Sequence, residues 1–234
     1  MNLSQKQGES KTRLIHQSLP WGELSYLKAL ELQKTLTQEG KVGWLLFACP
    51  PTVTLGKRTQ ADDLRVEREH LASQQVTLLE VDRGGRATYH SPSQVIGFPL
   101  GTLKDHVGDS RGVHRFLETL TRELKRFISF ELRRAQSKAV VIEDLGALED
   151  LQGIWVDEDG IKKKLVSFGM RFSREGIAHG FAINVTSQTQ GFELIHPCGL
   201  RGVQMASLFN ENRFSENDFA ELRNRLEKFL HEQT

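Results

Sequence analysis

The stretch GIKKKLVSFGMRFSREGIAHGFAINV, residues 160–185, decides the fold that we expect for this chain. It contains two runs typical of β-strands, KLVSFGMRF and HGFAINV, bounded by glycine and charged turns. The preceding run GIWVDEDG predicts a third strand, and Asp159–Gly160 is typical of a tight hairpin turn. Successive short strands of this kind predict a mixed or antiparallel sheet.

Helix patterns lie on both sides of these strands. The clearest helix is predicted in RGVHRFLETLTRELKRFISFEL, where charges stand opposite one apolar stripe. The stripe consists of Val113, Phe116, Leu117, Leu120, Leu124, Phe127 and Ile128. An earlier helix in WGELSYLKALELQKTLTQEGK has an apolar face predicted to contain Leu24, Leu27, Leu32 and Leu36. A last helix begins with the capping pair Ser215 and Asp218. Helices flanking such a sheet predict an α+β fold.

Composition narrows the class of protein. The chain has 234 residues, 38% of them hydrophobic, and a net charge of +1, which gives no electrostatic sign of nucleic-acid binding. Its longest apolar run, GWLLFACP, is too short to cross a bilayer, and the polar N-terminus does not resemble a signal peptide. We therefore expect a polar leader over residues 1–19, a single domain over residues 20–234, a reducing cytoplasmic setting, and neither nucleic-acid nor membrane partners.

Three consecutive lysines, residues 162–164, lead into the strand KLVSFGMRF, and such a run is usually a solvated turn. Because side chains alternate along a strand, Lys162 and Lys164 share a face that Lys163 does not. One lysine can therefore point inward and act as a base. His179, beside Gly180, is a second candidate, although a single histidine before a strand is more often structural.

Cys198 stands in ELIHPCGLRG between a proline and a glycine. Free cysteines are among the most buried residue types, and Cys49, inside GWLLFACP, fits that role. A loop bounded by Pro197 and Gly199 is suited instead to an exposed nucleophile activated by a nearby Lys or His. On these residues alone both interpretations of Cys198 stay open. No metal-ligand spacing connects the two cysteines or the histidines, so no metal is expected.

The tract DRGGRATYHSPSQVIGFPL, residues 82–100, is a further candidate site. Its adjacent glycines let backbone approach a ligand, and Arg83 and Arg86 are suited to an anion. An ordinary turn between strands is the alternative, which spacing alone favours. The chain has neither a phosphate-binding Walker loop nor a dinucleotide fingerprint.

Taken together and in order, these tracts resemble the octanoyl (lipoyl) transferase family of lipoate biosynthesis. The resemblance passes through YLKALELQ, PPTVTLGKR, RGGRATYHSPSQ, GIWV, KLVSFG, HGFAINV and FELIHPCGLRG, over roughly residues 25–208. The ordered series is far more specific than any single motif. It implies the α+β fold shared with lipoate–protein and biotin–protein ligases.

The resemblance also implies roles for individual residues. Cys198 matches the residue that carries the acyl group as a thioester, and Lys164 matches its base. A substrate-binding loop and two further segments match those that line the acyl site. They comprise Arg83, Gly84, Gly85, Arg86, Ala87, Thr88, Tyr89 and His90, then Ser167, Phe168 and Gly169, and finally Gly180, Phe181 and Ala182. His179 is a possible supporting residue.

The implied reaction moves an octanoyl group from the phosphopantetheine thioester of acyl carrier protein to a lysine ε-amine. The acceptors are lipoyl domains of 2-oxoacid dehydrogenase complexes and the glycine cleavage H protein. Because the thioester supplies the energy, no nucleotide or metal cofactor is expected, and we expect a monomer. Two alternatives stay open: an ATP-dependent lipoate or biotin protein ligase, and a non-catalytic acyl- or carrier-binding homologue.

Two departures from the family pattern affect the shape of the site. Ser91 and Ser93 stand where the family usually has glycines, so a positive φ there is either unnecessary or costly. Val166 stands where family members often have a small residue, which predicts a different wall of the acyl pocket.

Overall fold

A computed structural model describes residues 22–143, 153–209 and 214–231, which form two β-sheets with flanking helices. The predicted leader lies outside these ranges. The helices are α1 Tyr26–Gln38, α2 Arg68–Ser73, α3 Leu103–Val107, α4 Val113–Arg134 and α5 Glu216–His231. The strands are β1 Gly43–Phe47, β2 Thr52–Leu55, β3 Thr77–Glu80, β4 Thr88–His90, β5 Gln94–Leu100, β6 Val140–Val141, β7 Gly153–Glu158, β8 Ile161–Phe172, β9 Ile177–Asn184 and β10 Gln204–Met205.

The larger sheet has the strand order β1-β5-β9-β8-β7-β6, and each neighbouring pair in it is antiparallel. Strand β10 adds a short parallel pairing to β8. The smaller sheet has the order β3-β2-β4, with β2 parallel to β3 and antiparallel to β4. The prediction of an α+β fold with mixed and antiparallel sheets is therefore confirmed.

Helices α4 and α5 cover one face of the larger sheet. The apolar stripe predicted for α4 packs against the sheet, with Phe127 and Ile128 fully buried. The buried Glu131 carboxylate accepts a hydrogen bond of 2.7 Å from Arg225 of α5, which joins the two helices. Helix α5 follows the predicted capping pair, since the Ser215 N–H donates to the Asp218 carboxylate at 2.8 Å. None of the helices in the described ranges has the length and apolar character required of a membrane span.

Helix α1 covers the opposite face, and the face predicted for it is correct for three of four residues. Leu36 is buried, and Leu24 and Leu32 pack against the same cluster. The prediction was wrong for Leu27, which is 47% exposed, whereas Gln33 is 2% exposed. The Gln33 amide donates to the carbonyls of Pro99, Ile177 and His179 at 2.7–3.1 Å, and its oxygen accepts the His179 N–H at 2.9 Å. These backbone groups of β5 and β9 need partners when α1 covers them, so a polar residue occupies the inward position.

The hairpin between β7 and β8 turns at the predicted residues. Asp159 and Gly160 have φ angles of 55° and 80°, as a two-residue turn with the twist of its strands requires. The Gly160 N–H also donates to the Asp157 side chain at 2.8 Å. The hairpin fixes the register of β8, the strand that carries Lys164.

Replacing Gln33 by Leu should destabilise the protein, because a buried backbone N–H and several carbonyls would lose their partner. We expect the free energy of unfolding to fall by about 2–4 kcal/mol. Urea denaturation measures it, with the exposed Gln38→Leu on the same helix as the matched control. Equal stability of the two variants would contradict this account of α1.

Candidate active site

Lys164 and Cys198 meet at the junction of β8 and the loop that precedes β10. The Lys164 Nζ donates a hydrogen bond to the Cys198 Sγ at 2.9 Å. Lys164 is fully buried, and its Nζ also lies 5.7 Å from the centre of the Trp155 ring. Cys198 is partly exposed. A buried amine in contact with an accessible thiol is suited to moving a proton between nitrogen and sulfur.

A β-bulge turns Lys164 towards Cys198. Ile154 of β7 pairs with Val166 and Trp155 pairs with Lys164, so Leu165 has no partner in β7. An extra residue of this kind interrupts the alternation of side chains along the strand. Leu165 and Val166 consequently both lie in the hydrophobic core, and Lys164 lies on the other side. Val166 is thus a core residue, and it does not line the pocket described below.

The other two lysines of the run have different surroundings. Lys162 is exposed, and Lys163 forms an ion pair of 2.6 Å with Glu158. The prediction that one lysine of the three points inward is therefore confirmed for Lys164. Gly153 of β7 leaves the necessary space, because a Cβ on it would lie 2.5 Å from the Lys164 Cε.

The loop that carries Cys198 is held in an uncommon conformation. Cys198 has φ 57° and ψ 18°, in the left-handed region that non-glycine residues rarely occupy. Its N–H donates to the Ala87 carbonyl at 3.2 Å, which connects the cysteine loop to the tract of residues 82–100. Strained backbone of this kind is found most often at functional sites, where the surrounding structure maintains it.

Arg86 and Asp63 hold this loop in place. The Arg86 guanidinium contacts the fully buried Asp63 carboxylate at 2.7 and 3.0 Å. The hydrogen bond to Asp63 raises the pKa of Arg86, so the guanidinium keeps its charge. The Asp63 carbonyl accepts the His196 N–H at 2.8 Å. The Arg86 side chain lies where Gly199 would carry a Cβ, so the arginine packs directly beneath the cysteine loop.

The other arginine of the tract is buried and forms part of the pocket. The Arg83 guanidinium donates to the Thr54 carbonyl at 2.7 Å and to the Thr54 hydroxyl at 2.9 and 3.1 Å. Burial lowers its pKa, while the nearby Tyr26 and Cys198 raise it. The backbone of residues 83–85 is held by the segment that follows β2. The Lys57 and Arg58 N–H groups donate to the Arg83 and Gly85 carbonyls at 3.1 Å.

One pocket extends inward from Cys198. Thirteen of the predicted residues line it: Arg83, Gly85, Arg86, Ala87, Thr88, His90, Ser167, Phe168, Gly169, Gly180, Phe181, Ala182 and Cys198. The structure therefore brings together most of three tracts that are far apart in the sequence. Gly84, Tyr89 and His179 do not line it, and Tyr89 instead packs against Phe192 in a separate cluster with ring centres 5.6 Å apart.

His179 lies behind the pocket in a buried polar network. Its Nε2 is 2.7 Å from the Asp82 carboxylate, and its Nδ1 is 2.9 Å from the Tyr26 hydroxyl. Burial lowers the pKa of His179, although Asp82 partly opposes that effect. A neutral imidazole that donates a hydrogen bond to Asp82 through Nε2 accepts a hydrogen bond from the Tyr26 hydroxyl at Nδ1. His179 is thus placed to orient Tyr26, and it influences the pocket only through that residue.

His90 lies at the inner part of the pocket and is also neutral. Burial and the charge of Arg83 lower its pKa to about 3. Its Nε2 is 3.4 Å from the Thr54 hydroxyl. The same hydroxyl accepts hydrogen bonds from Arg83 at 2.9 and 3.1 Å.

The two serines that replace family glycines adopt ordinary backbone conformations. Neither Ser91 nor Ser93 has a positive φ. Their hydroxyls lie 3.3 Å apart, and the Ser93 hydroxyl donates to Gln188 at 3.2 Å. Gln94 then connects this turn to β9, since its amide donates to the Asn184 side chain at 2.8 Å. The hydroxyls thus form part of the hydrogen bonding that holds the turn.

Sequence analysis missed three residues that line the pocket, namely Tyr26, Ile96 and Phe98. Their tracts were identified, but no residue pattern indicates which side chains face a cavity. Asp63 and Asp82 were also missed, because an acidic residue in a loop gives no sign of its partner. Cys49 is fully buried, and burial raises its pKa to about 12, so its thiol is protonated at neutral pH.

The arrangement of thiol, buried amine and adjoining pocket is that of a protein suited to covalent acyl transfer. A family model described as the lipoyl protein ligase A/B catalytic domain matches residues 25–230, and the chain belongs to that family. An octanoyltransferase from Roseiflexus sp. (strain RS-1) is 34% identical over 200 residues, covering 81% of this chain and 75% of the relative.

Solved structures support the same fold. The structure of lipoate-protein ligase A bound with ATP has a TM-score of 0.59 at 16% identity, covering 91% of this chain and 85% of the other. A bi-partite lipoate protein ligase studied with its E2 lipoyl domain from Thermoplasma acidophilum has a TM-score of 0.58 at 15% identity, covering 91% and 80%. The predicted lipoate ligase-like fold is therefore confirmed.

The contact between Lys164 and Cys198 predicts a thiol that reacts readily at neutral pH. Lys164→Met keeps the buried chain but removes the amine that is placed to take the thiol proton. The rate at which iodoacetamide alkylates Cys198 at pH 7 should fall about tenfold or more. Mass spectrometry of the Cys198 peptide gives this rate, and Lys163→Met is the control. The same rate in both variants would show that Lys164 does not act on the thiol.

The Arg86–Asp63 pair predicts a different outcome for two adjacent aspartates. Asp63→Asn removes the charge partner of Arg86 at a buried position, and stability should fall by about 2 kcal/mol. Asp62→Asn alters only exposed contacts of 3.4 and 3.7 Å and should change stability by less than about 1 kcal/mol. Urea denaturation distinguishes the two. A larger effect from Asp62→Asn would argue against Asp63 as the support of the cysteine loop.

Proposed function

We propose that this acyltransferase of the octanoyltransferase family transfers an octanoyl group from acyl carrier protein to a lysine of a lipoyl domain. In this proposal Cys198 forms the acyl thioester and Lys164 is its base. The observation that carries the proposal is the 2.9 Å contact between Lys164 Nζ and Cys198 Sγ, beside a pocket that leads into the fold. The pocket offers the acyl chain a binding site next to the reactive sulfur.

The first half of the reaction acylates the enzyme. Lys164 takes the Cys198 proton, and the thiolate attacks the carbonyl carbon of the octanoyl thioester. The bond between that carbon and the carrier's sulfur breaks, and the departing thiolate takes the proton from Lys164. The products are the free carrier thiol and octanoyl-Cys198, so every proton is accounted for.

The second half transfers the acyl group. The ε-amine of the acceptor lysine attacks the thioester carbon, and the bond to Cys198 breaks as the amide forms. The proton lost by the attacking nitrogen passes to Lys164 and then to the Cys198 sulfur, which restores the starting state. Backbone N–H groups beside Cys198 are suited to the negative charge that develops on the carbonyl oxygen.

The proposed reaction uses no nucleotide and no metal. Exchange between two thioesters is nearly balanced in free energy, and formation of an amide from a thioester is favourable. An ATP-dependent ligase would have to make an acyl adenylate, and a Cys198–Lys164 pair has no task in that chemistry. This distinction supports acyl transfer from a carrier over a ligase reaction.

The family acts on lipoyl domains, and a solved relative by fold was studied with its E2 lipoyl domain. We propose acyl carrier protein as the donor, because a Cys nucleophile exchanges readily with the thioester that the carrier holds. The proposed acceptors are lipoyl domains of 2-oxoacid dehydrogenase complexes and the glycine cleavage H protein. We further propose that the protein works as a monomer, since one chain supplies each residue assigned to the site.

Intact-mass measurement after mixing with octanoyl-carrier tests the proposal. Wild-type protein should gain the mass of one octanoyl group, and hydroxylamine should remove it as a thioester. Cys198→Ala should show no adduct, whereas Cys49→Ala should still form it. Absence of an adduct on the wild-type protein would overturn the assignment of Cys198.

Adding a lipoyl domain to the isolated adduct separates the alternatives. Transfer without ATP supports the octanoyltransferase. Acylation that requires ATP and does not depend on Cys198 would indicate a ligase. A stable adduct that no lipoyl domain discharges would indicate a non-catalytic acyl-binding homologue.

A further inference from the structure

We propose that Ile96 and Phe98 of β5, braced by Tyr26, end the acyl channel and set the length of the chain that the enzyme accepts. This inference rests on the proposed function and names the residues that determine its specificity. The starting observation is that Tyr26, Ile96 and Phe98 line the same pocket as Cys198. All three are 2% exposed or less.

The register of the larger sheet places small and large residues in separate strands. Ser167 of β8 pairs with Ala182 of β9, which pairs with Ile96 of β5. In the neighbouring row, Gly169 of β8 pairs with Gly180 of β9. On β5, Gly97 pairs with Phe181, so the next residue along β5, Phe98, lies beside Gly180. Each row therefore begins with two residues of small or absent side chain and ends at a large one.

These rows define the direction and length of the channel. β8 also carries Lys164, whose Nζ contacts Cys198, so the proposed path begins at β8 and crosses β9 towards β5. Neighbouring strands lie about 4.8 Å apart, so the crossing from β8 to β5 spans about 10 Å. That distance is comparable to an extended medium-chain acyl group. The pocket has a volume of about 30 Å³, so in this proposal it widens along these rows when the enzyme is acylated, and the far end of the chain then meets Ile96 and Phe98.

The end of the channel is rigid, because rings support Phe98 from three sides. The Tyr26 ring contacts it edge-on with centres 5.5 Å apart, Phe47 lies 4.9 Å away, and His179 lies 6.1 Å away. The Tyr26 hydroxyl is hydrogen-bonded to His179, which is in turn bonded to Asp82. Moving Tyr26 would break a buried hydrogen bond, so a longer chain cannot push the end of the channel aside without that loss.

The experiment compares acylation of the protein by hexanoyl-, octanoyl-, decanoyl- and dodecanoyl-carrier. The quantity is the ratio of kcat/KM for decanoyl to that for octanoyl, which does not depend on the folded fraction of a variant. Phe98→Ala removes the large side chain at the end, and we expect the ratio to rise about tenfold or more. Tyr26→Phe keeps the ring but loses the hydroxyl, and we expect a smaller rise of about threefold.

Phe127→Leu is the matched control, since Phe127 is a buried residue of α4, which packs on the opposite face of the sheet, and it does not line the pocket. It should leave the ratio within about twofold of the wild type. An unchanged ratio in Phe98→Ala, or an equal rise in Phe127→Leu, would overturn the proposal. An unchanged ratio in Tyr26→Phe would overturn the bracing role of Tyr26.

A binding measurement separates this claim from the proposed function. If wild-type protein forms no adduct with any carrier, the proposed function fails, and calorimetry with free octanoic, decanoic and dodecanoic acids still tests the channel. Phe98→Ala should then gain affinity for the longer acids relative to octanoic acid. Equal relative affinities in the wild type and in Phe98→Ala would overturn the assignment of the channel end.

Discussion

The hydrogen bond between Lys164 Nζ and the Cys198 sulfur joins the central strand β8 to a loop 34 residues further along the chain. A fully buried polar group is costly unless it has hydrogen-bond partners, so the surroundings of Lys164 are built around that requirement. The β-bulge at Leu165 turns it away from the core, and Gly153 leaves space for its chain. The Arg86–Asp63 pair then holds the opposing loop. These features are separate in the sequence but serve one contact.

The same strand also organises the pocket. Beyond the bulge, β8 presents Ser167 and Gly169, and β9 continues the two rows with Ala182 and Gly180. The pocket is therefore lined by short side chains on neighbouring strands and by residues of the Arg83–His90 tract. Buried Arg83 and neutral His90 make the walls partly polar, while the rings around Phe98 close the inner end. The reactive group and the specificity of the pocket thus depend on one sheet register.

Much of the fold follows from patterns that the sequence displays. The α4 stripe, the Asp159–Gly160 turn and the α5 cap depend on local spacing, and each was predicted correctly. The inward face of α1 was predicted only in part, because Leu27 is exposed and Gln33 is buried instead, where it satisfies backbone groups of distant strands.

The same limit applies to the site. The candidate nucleophile and base were identified by resemblance to a family, but no local pattern reveals the bulge that aims Lys164 or the ring cluster around Phe98. Both depend on pairing between strands that are far apart in the sequence.

A crystal structure of the protein after reaction with octanoyl-carrier would test the central claim most directly. The account predicts electron density for an octanoyl thioester on Cys198 Sγ, with Lys164 Nζ within hydrogen-bonding distance of that sulfur. It also predicts that the chain crosses β8 and β9 and ends against Ile96 and Phe98. An acyl group on another residue, or a Lys164 side chain turned away from the acylated cysteine, would contradict it.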